Sequence, residues 1–195
     1  MKLKIYLASK SPRRQELLKQ CNVEFELLLP NDALAAEALE ATRQGESPSQ
    51  YVSRVTLAKM EQAQMFRLQR GLVDRPILTA DTTVALGGTI YGKPLDLNDA
   101  RRMLKELLGK THRVLTAVAV HRQGKTELRL SASRVRFSRL SNEALESYLA
   151  SGEGIDKAGA YAIQGLAARF IRDIQGSYSG IMGLPLYETA QLLKL

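Results

Sequence analysis

Arg13 and Arg14 stand where arginines are not expected. They follow Ser11-Pro12, and a Ser N-cap with Pro at the first helical position predicts a helix start there. A helix N-terminus has free N–H groups and a partial positive charge, so each base in its first turn is disfavoured by ~0.3–1 kcal/mol. The conflict resolves if an anion sits at the turn. The N–H groups, the hydroxyls of Ser9 and Ser11 and two guanidinium forks would then hold it. The alternative is that both arginines point to solvent. The G-x-x-x-x-G-K spacing of a Walker loop is absent.

Asp81 follows the apolar run 76–80 and precedes another. A carboxylate at the carboxyl end of a buried strand sits where α/β proteins place ligands, although a turn cap or a structural ion pair would look the same. Lys93, in Tyr91-Gly92-Lys93-Pro94, falls in a loop after a predicted hairpin. Lys59 interrupts the helical row Val52, Val55, Lys59, Gln62, either snorkelling at a boundary or aimed into a cleft. Gln164 ends a strand-like stretch bracketed by Gly159 and Gly165. Its carboxamide offers a donor and an acceptor side by side, which complements the N3–H and O4 edge of uracil or thymine. His112 and His121 flank a strand without metal-ligand spacing and read as surface or strand residues. Cys21 lies on the apolar side of a helix. No G-x-S-x-G elbow supports a hydrolase triad. Acidic side chains with basic clamps suit metal-assisted attack of water on a phosphoanhydride better than acyl transfer.

These residues need elements to position them. Strands are predicted over 4–8, 25–29 and 77–80, and two further segments over 82–91 reverse at Gly87-Gly88. A long hairpin is predicted over 114–121 and 128–137 around Gln123-Gly124. Residues 31–44 read as a helical excursion or a loop. Ser47-Pro48-Ser49-Gln50 is a capping box that starts a long helix to about Arg70, with Val52, Val55, Tyr51 and Met65 near one side. Residues 96–108 are amphipathic and stop at Gly109. Ser141 caps a helix to Ala150. Short strands are expected over 160–163 and 168–174, with a helix after Pro185. Helices alternating with strands, broken by two hairpins, predict an α/β or α+β protein with a mixed twisted sheet and flanking helices.

Composition bounds the reading. A chain of 195 residues is read as one domain, 1–195, and 45% apolar with 25% charged residues excludes a disordered or collagen-like chain. No apolar run approaches the ~20 residues of a membrane span. The lone Cys21 excludes an intramolecular disulfide and a multi-cysteine zinc site, and suits a reducing cytoplasm. The formal charge of +8 fits solubility or a polyanionic partner. The basic residues are dispersed, and aromatics are only 6% with no Trp, so a stacking platform for single strands is poorly supplied.

The combination resembles the Maf-type nucleotide pyrophosphatases, the septum-formation-inhibitor family. Leu-Ala-Ser-x-Ser-Pro-Arg-Arg-x-Glu-Leu-Leu at 7–18 looks like its signature. Ala80-Asp81-Thr82, Gly92-Lys93-Pro94, residues 156–161 (Asp-Lys-Ala-Gly-Ala-Tyr) and Gly183-Leu184-Pro185 match its later blocks in order. The resemblance implies hydrolysis of a nucleoside triphosphate to the monophosphate plus diphosphate, with a divalent cation, Mg²⁺ or Mn²⁺. It also implies an elongated two-lobed fold like that of the inosine triphosphatases, with a central cleft, and frequent homodimers. Asp81-Thr82 and Ile163-Gln164-Gly165 resemble the branch acting on dTTP, UTP and modified pyrimidine nucleotides.

By the same resemblance, Asp81 is the proton acceptor and a metal ligand. Ser9, Arg13, Arg14, Lys59 and Lys93 match phosphate-cleft positions, while Arg13, Thr82 and Gln164 match specificity positions. The family's acidic motif after the second strand is replaced here by Pro-Asn-Asp-Ala-Leu-Ala-Ala-Glu at 30–37, with an insertion. Asp32 or Glu37 is expected to join the metal site, with Glu40 a further choice. A cytoplasmic enzyme that cleanses the nucleotide pool, linked to cell-division arrest, is the reading that follows; no membrane or nucleic-acid partner is expected. The alternatives are a basic protein that binds nucleic acid or the division machinery through a vestigial nucleotide site, and a purine activity of the inosine-triphosphatase type.

Overall fold

The computed structural model describes residues 3–30 and 38–195. One sheet of seven strands organises it. The strands are β1 (Lys4–Leu7), β2 (Glu24–Leu27), β3 (Ile77–Leu86), β4 (Thr89–Tyr91), β5 (Thr111–Arg122), β6 (Lys125–Phe137) and β7 (Ile171–Gln175), in the order β2-β1-β3-β5-β6-β7, with β4 also on β3. The first three in that order are parallel; β3, β5, β6 and β7 are antiparallel, so the sheet is mixed as predicted. The β5–β6 hairpin turns at Gln123 and Gly124, both with positive φ, as a two-residue hairpin loop requires.

Helices cover both faces. They are α1 (Pro12–Gln20), α2 (Pro48–Gln69), α3 (Leu97–Leu107), α4 (Asn142–Ala150), α5 (Tyr178–Met182) and α6 (Leu186–Leu193). Ser11, Ser47, Asp96 and Ser141 cap the helices whose starts their sequence predicts, and Ser47 with Gln50 forms the complete capping box. Strand side chains alternate between faces. Tyr6, Ile77 and Ala119 therefore pack against Met60 and Ala63 of α2, while Leu7, Leu78 and Val118 pack against Leu17 and Leu18 of α1. Farther along that second face, α3 and α4 bury Leu104, Leu107 and Tyr148 around Val84, Val114 and Phe137.

Several expectations are corrected. Met65 is 53% exposed; the buried stripe of α2 runs Tyr51, Val52, Val55, Thr56, Met60, Ala63. Strand β3 runs unbroken through Asp81. Residues 160–163 are not a strand, because a 3₁₀ turn at Ala158–Ala160 throws the chain into a loop with Gly159 at φ 70°. Helix α5 carries no strong sequence signal. His112 is buried rather than on the surface, edge-on to Phe137 and Tyr161 and hydrogen-bonded to the Tyr161 hydroxyl at 2.9 Å. Burial pushes its pKa down to about 4.

The loop 151–165 is held close. A Cβ on Gly154 would lie 2.1 Å from the Ala160 carbonyl oxygen, whereas one on Gly152 (φ 68°) would meet nothing within 4 Å. Gly152→Ala is therefore expected to cost only the backbone strain, ~1–2 kcal/mol. Gly154→Ala, which must displace the backbone, is expected to lower Tm more. Thermal melts of the two variants check the ranking.

Candidate active site

A cavity of about 420 Å³ opens beside β3. Its position follows from unequal strand lengths. β1 pairs with β3 only at Ile77 and Leu78, and β4 joins the same edge only from Val84 onward. Between them the edge of β3 over residues 79–83 has no strand partner among the described residues. Asp81 thus sits in the middle of its strand and not at its end. The strand that ends at the site is β1, and its continuation through Ser9 forms the opposite wall. Every described residue singled out from the sequence lines this cavity: Ser9, Arg13, Arg14, Lys59, Asp81, Thr82, Lys93 and Gln164. Asp32 and Glu37 lie outside the described residues.

Asp81 is buried at 7% exposure and faces α2. The Lys59 ammonium donates to its Oδ1 at 2.6 Å and to Glu40 Oε1 at 2.7 Å. Two carboxylates thus share one cation, and the third ammonium N–H remains available. Burial pushes the Asp81 carboxyl up, against the pull of Lys59 and Arg14. Burial also raises Glu40, but Lys59, Lys93 and Arg14 outweigh it and hold that group below its ordinary value. Hence the two carboxylates differ, with Asp81 the stronger base.

The arginines divide the work. Arg14 donates to Gly183 O at 2.7 Å, Ser9 Oγ at 3.2 Å and Thr82 Oγ1 at 3.3 Å, tying α1 to β3 and to the end of α5. Among the described residues Arg13 bonds only through Nε, to Met182 O at 3.2 Å, which leaves both terminal nitrogens for a ligand. Ser9 Oγ also accepts from Ser11 N at 3.2 Å, so its proton is left to donate. Thr82 points to the opposite face from Asp81. Thr116 donates to Gly180 O at 2.7 Å, so Thr82, 3.0 Å from Thr116 Oγ1, donates to it and accepts from Arg14. That leaves the Thr82 hydroxyl only an acceptor's role toward a ligand.

Lys93 follows Gly92, whose carbonyl accepts from Gly159 N at 3.0 Å. Gly159 allows this approach: a Cβ there would press on Val84 at 3.0 Å. Gln164 is exposed at the rim, its carboxamide without a partner among the described residues. The motif-based reading did not single out Lys157, which lines the cavity and donates to Glu153 O at 2.7 Å, nor Thr116. Glu40 was one of three acids the sequence left open. No periodicity marks it, so only the fold selects it.

Cations thus rim a pocket whose floor holds a base, an arrangement able to bind a polyphosphate and accept a proton from water. A mixed α/β sheet with such a cleft along one open strand edge defines a polyanion-binding enzyme scaffold. The chain belongs to the Maf-like protein family, whose model matches residues 4–195. It is 58% identical over 190 residues to a protein of Ralstonia nicotianae named dTTP/UTP pyrophosphatase, covering 97% of this chain and 92% of that one. A protein of the same name from Albidiferax ferrireducens is 57% identical, covering 97% and 95%. Another, from Nitrosomonas europaea, is 52% identical, covering 97% and 93%. Among solved structures, the chain is similar to the Staphylococcus aureus Ham1 protein, at 11% identity and TM-score 0.42 over 69% of this chain and 71% of that one.

A buried acid with a raised folded-state pKa holds its proton more tightly folded than unfolded. Its ionisation therefore costs stability as pH rises through that pKa, and the cost disappears below the unfolded value of ~3.9. Asp81→Asn is expected to raise Tm at pH 8, with the gain shrinking as pH falls toward ~4. Calorimetry of both proteins across pH checks the sign; a Tm loss at pH 8 contradicts it.

Proposed function

We propose that this chain is a nucleoside triphosphate pyrophosphatase that converts dTTP and UTP, and modified pyrimidine nucleotides, to the monophosphate and diphosphate. The observation that carries this reading is Asp81, buried and paired with Lys59 at the foot of a cation-rimmed cavity. The names of relatives sharing more than half of its residues supply the substrate class. The volume lies within the ~300–1,000 Å³ of small-ligand sites.

As Asp81 accepts the proton of the attacking water, the water oxygen bonds to the α-phosphorus, the bond from that phosphorus to the oxygen bridging to the β-phosphoryl group breaks, and diphosphate leaves with the bridging oxygen. Burial raises the proton affinity of Asp81 above that of an exposed carboxylate, which makes it the better base toward water. The free N–H of Lys59, the terminal nitrogens of Arg13, the Ser9 hydroxyl and Lys93 bind phosphate oxygens. Arg14 holds the frame and adds charge. Gln164 and Thr82 read the base: the carboxamide pairs with N3–H and O4, and Thr82 can only accept.

Glu40 and Asp81 fit a divalent cation, since two hard oxygen donors converge on the same positive charge. When bound, Mg²⁺ or Mn²⁺ would neutralise charge on the polyphosphate. We further read the chain, 1–195, as one cytoplasmic catalytic domain that pairs as a homodimer, and its task as clearing surplus or modified nucleotides, with a link to division arrest. The family resemblance supports this, and the single cysteine fits a reducing compartment.

Purified protein incubated with a nucleoside triphosphate panel, with and without Mg²⁺ or Mn²⁺, is expected to release UMP or dTMP with diphosphate, dependent on the metal. Asp81→Asn should lower kcat by at least 10²-fold while nucleotide still binds. Gln164→Ala should chiefly narrow the gap between UTP or dTTP and CTP or GTP. Wild-type rates from Asp81→Asn, or no turnover of any nucleotide, would sink the assignment.

A further inference from the structure

Residues 38–46 reach the site without a strand or long helix to hold them, and 41–45 are exposed. Three successive carbonyls at the inner end of this segment are gripped by α2. Arg54 Nη1 donates to Leu39 O at 3.2 Å, the Tyr51 hydroxyl to Glu40 O at 2.9 Å, and Arg54 Nη2 to Ala41 O at 2.9 Å. Tyr51 and Arg54 are three residues apart and share a helix face, with the guanidinium 5.5 Å from the ring centroid. The same guanidinium takes both oxygens of Glu46, at 2.6 and 2.8 Å, closing the far end of the exposed loop. Four of its five N–H donors are thereby spent on the protein, so Arg54 is not a phosphate ligand. Lys59, two turns beyond Tyr51, receives the side chain of the middle gripped residue.

We propose that Arg54 and Tyr51 are positioning residues, whose grip on the carbonyls of 39–41 sets the Glu40 carboxylate against Lys59 and so completes the acidic pair of the site. A plain loop staple needs only the Arg54–Glu46 pair. Bonds to the carbonyl of residue 40 and of both its neighbours fix the backbone there, and hence the direction in which the Glu40 side chain leaves it. The inference rests on the reading of Glu40 and Asp81 as the acidic pair of a pyrophosphatase.

The test is a double-mutant cycle on the full chain with UTP and Mn²⁺. Glu40→Gln and Arg54→Met are each expected to lower kcat at least tenfold with a smaller change in KM. The double variant is expected to be no slower than Glu40→Gln alone, since the clamp then has nothing to position. Mn²⁺ binding, followed by the EPR signal of the free ion, supplies a readout independent of turnover. Both single variants should weaken it by a similar factor, and the double variant no further. Should Arg54→Met melt below the assay temperature, Tyr51→Phe replaces it: it removes one hydroxyl, and its expected loss of about threefold in kcat disappears in the Glu40→Gln background. Multiplying losses in the double variant, or an impaired Glu40→Gln beside an unimpaired Arg54→Met, overturns the positioning role and leaves the functional reading standing. Full turnover by Glu40→Gln overturns both the positioning role and the place of Glu40 in the site.

Discussion

The ammonium of Lys59 lies between Asp81 and Glu40, and the site is organised around that shared charge. An ionised carboxylate in the middle of a sheet is costly unless a cation stands against it. Asp81 faces α2, so its cation has to come from that helix, and Lys59 sits one turn beyond the buried Val55, where the helix borders the cavity. The second carboxylate draws on the same ammonium and sets a negative charge beside Asp81, which raises the proton affinity of Asp81 further. Burial then leaves Asp81 with a raised proton affinity while Glu40 stays charged.

The cavity exists because the sheet is incomplete at one place. Had β1 run on past Leu7 along β3, or β4 continued past Tyr91, the edge of β3 at residues 79–83 would be paired and closed. Instead the chain leaves β1 at Leu7 and turns through Ser9 into α1, whose N-terminus faces the gap. Arg14 makes that turn rigid by bonding Ser9, Thr82 and Gly183, drawn from three separate parts of the chain. The two adjacent arginines that look redundant in the sequence therefore differ: Arg14 is largely occupied by the protein, and Arg13 keeps its fork open.

Much was legible from the sequence because local rules governed it. Capping residues located the starts of α1, α2 and α4, since a Ser side chain bonding an N–H three residues on is a local event, and apolar spacing located α3. Alternation and turn residues located the long hairpin. The site residues were legible through their chemistry: a base pair of arginines at a helix start, a lone acid between apolar runs and a carboxamide between glycines. Residues 160–163 misled because an apolar, small-residue stretch between glycines looks the same as a strand or as a packed loop. His112 lies in a strand, one of the two readings, but its burial went unread because its partners, Phe137 and Tyr161, are remote in sequence.

The sequence by itself determined most of the element types, the mixed character of the sheet, and which residues could bind phosphate or accept a proton. Those properties follow from neighbours a few positions apart. Tertiary structure alone decided that Asp81 would lie mid-strand beside a gap, that Glu40 would be the acid meeting Lys59, and that Thr82 could only accept a hydrogen bond. Each depends on pairings between groups 19 to 71 positions apart in the chain. Such pairings are fixed by which strands run out first and which helix face is buried, and no local pattern encodes either.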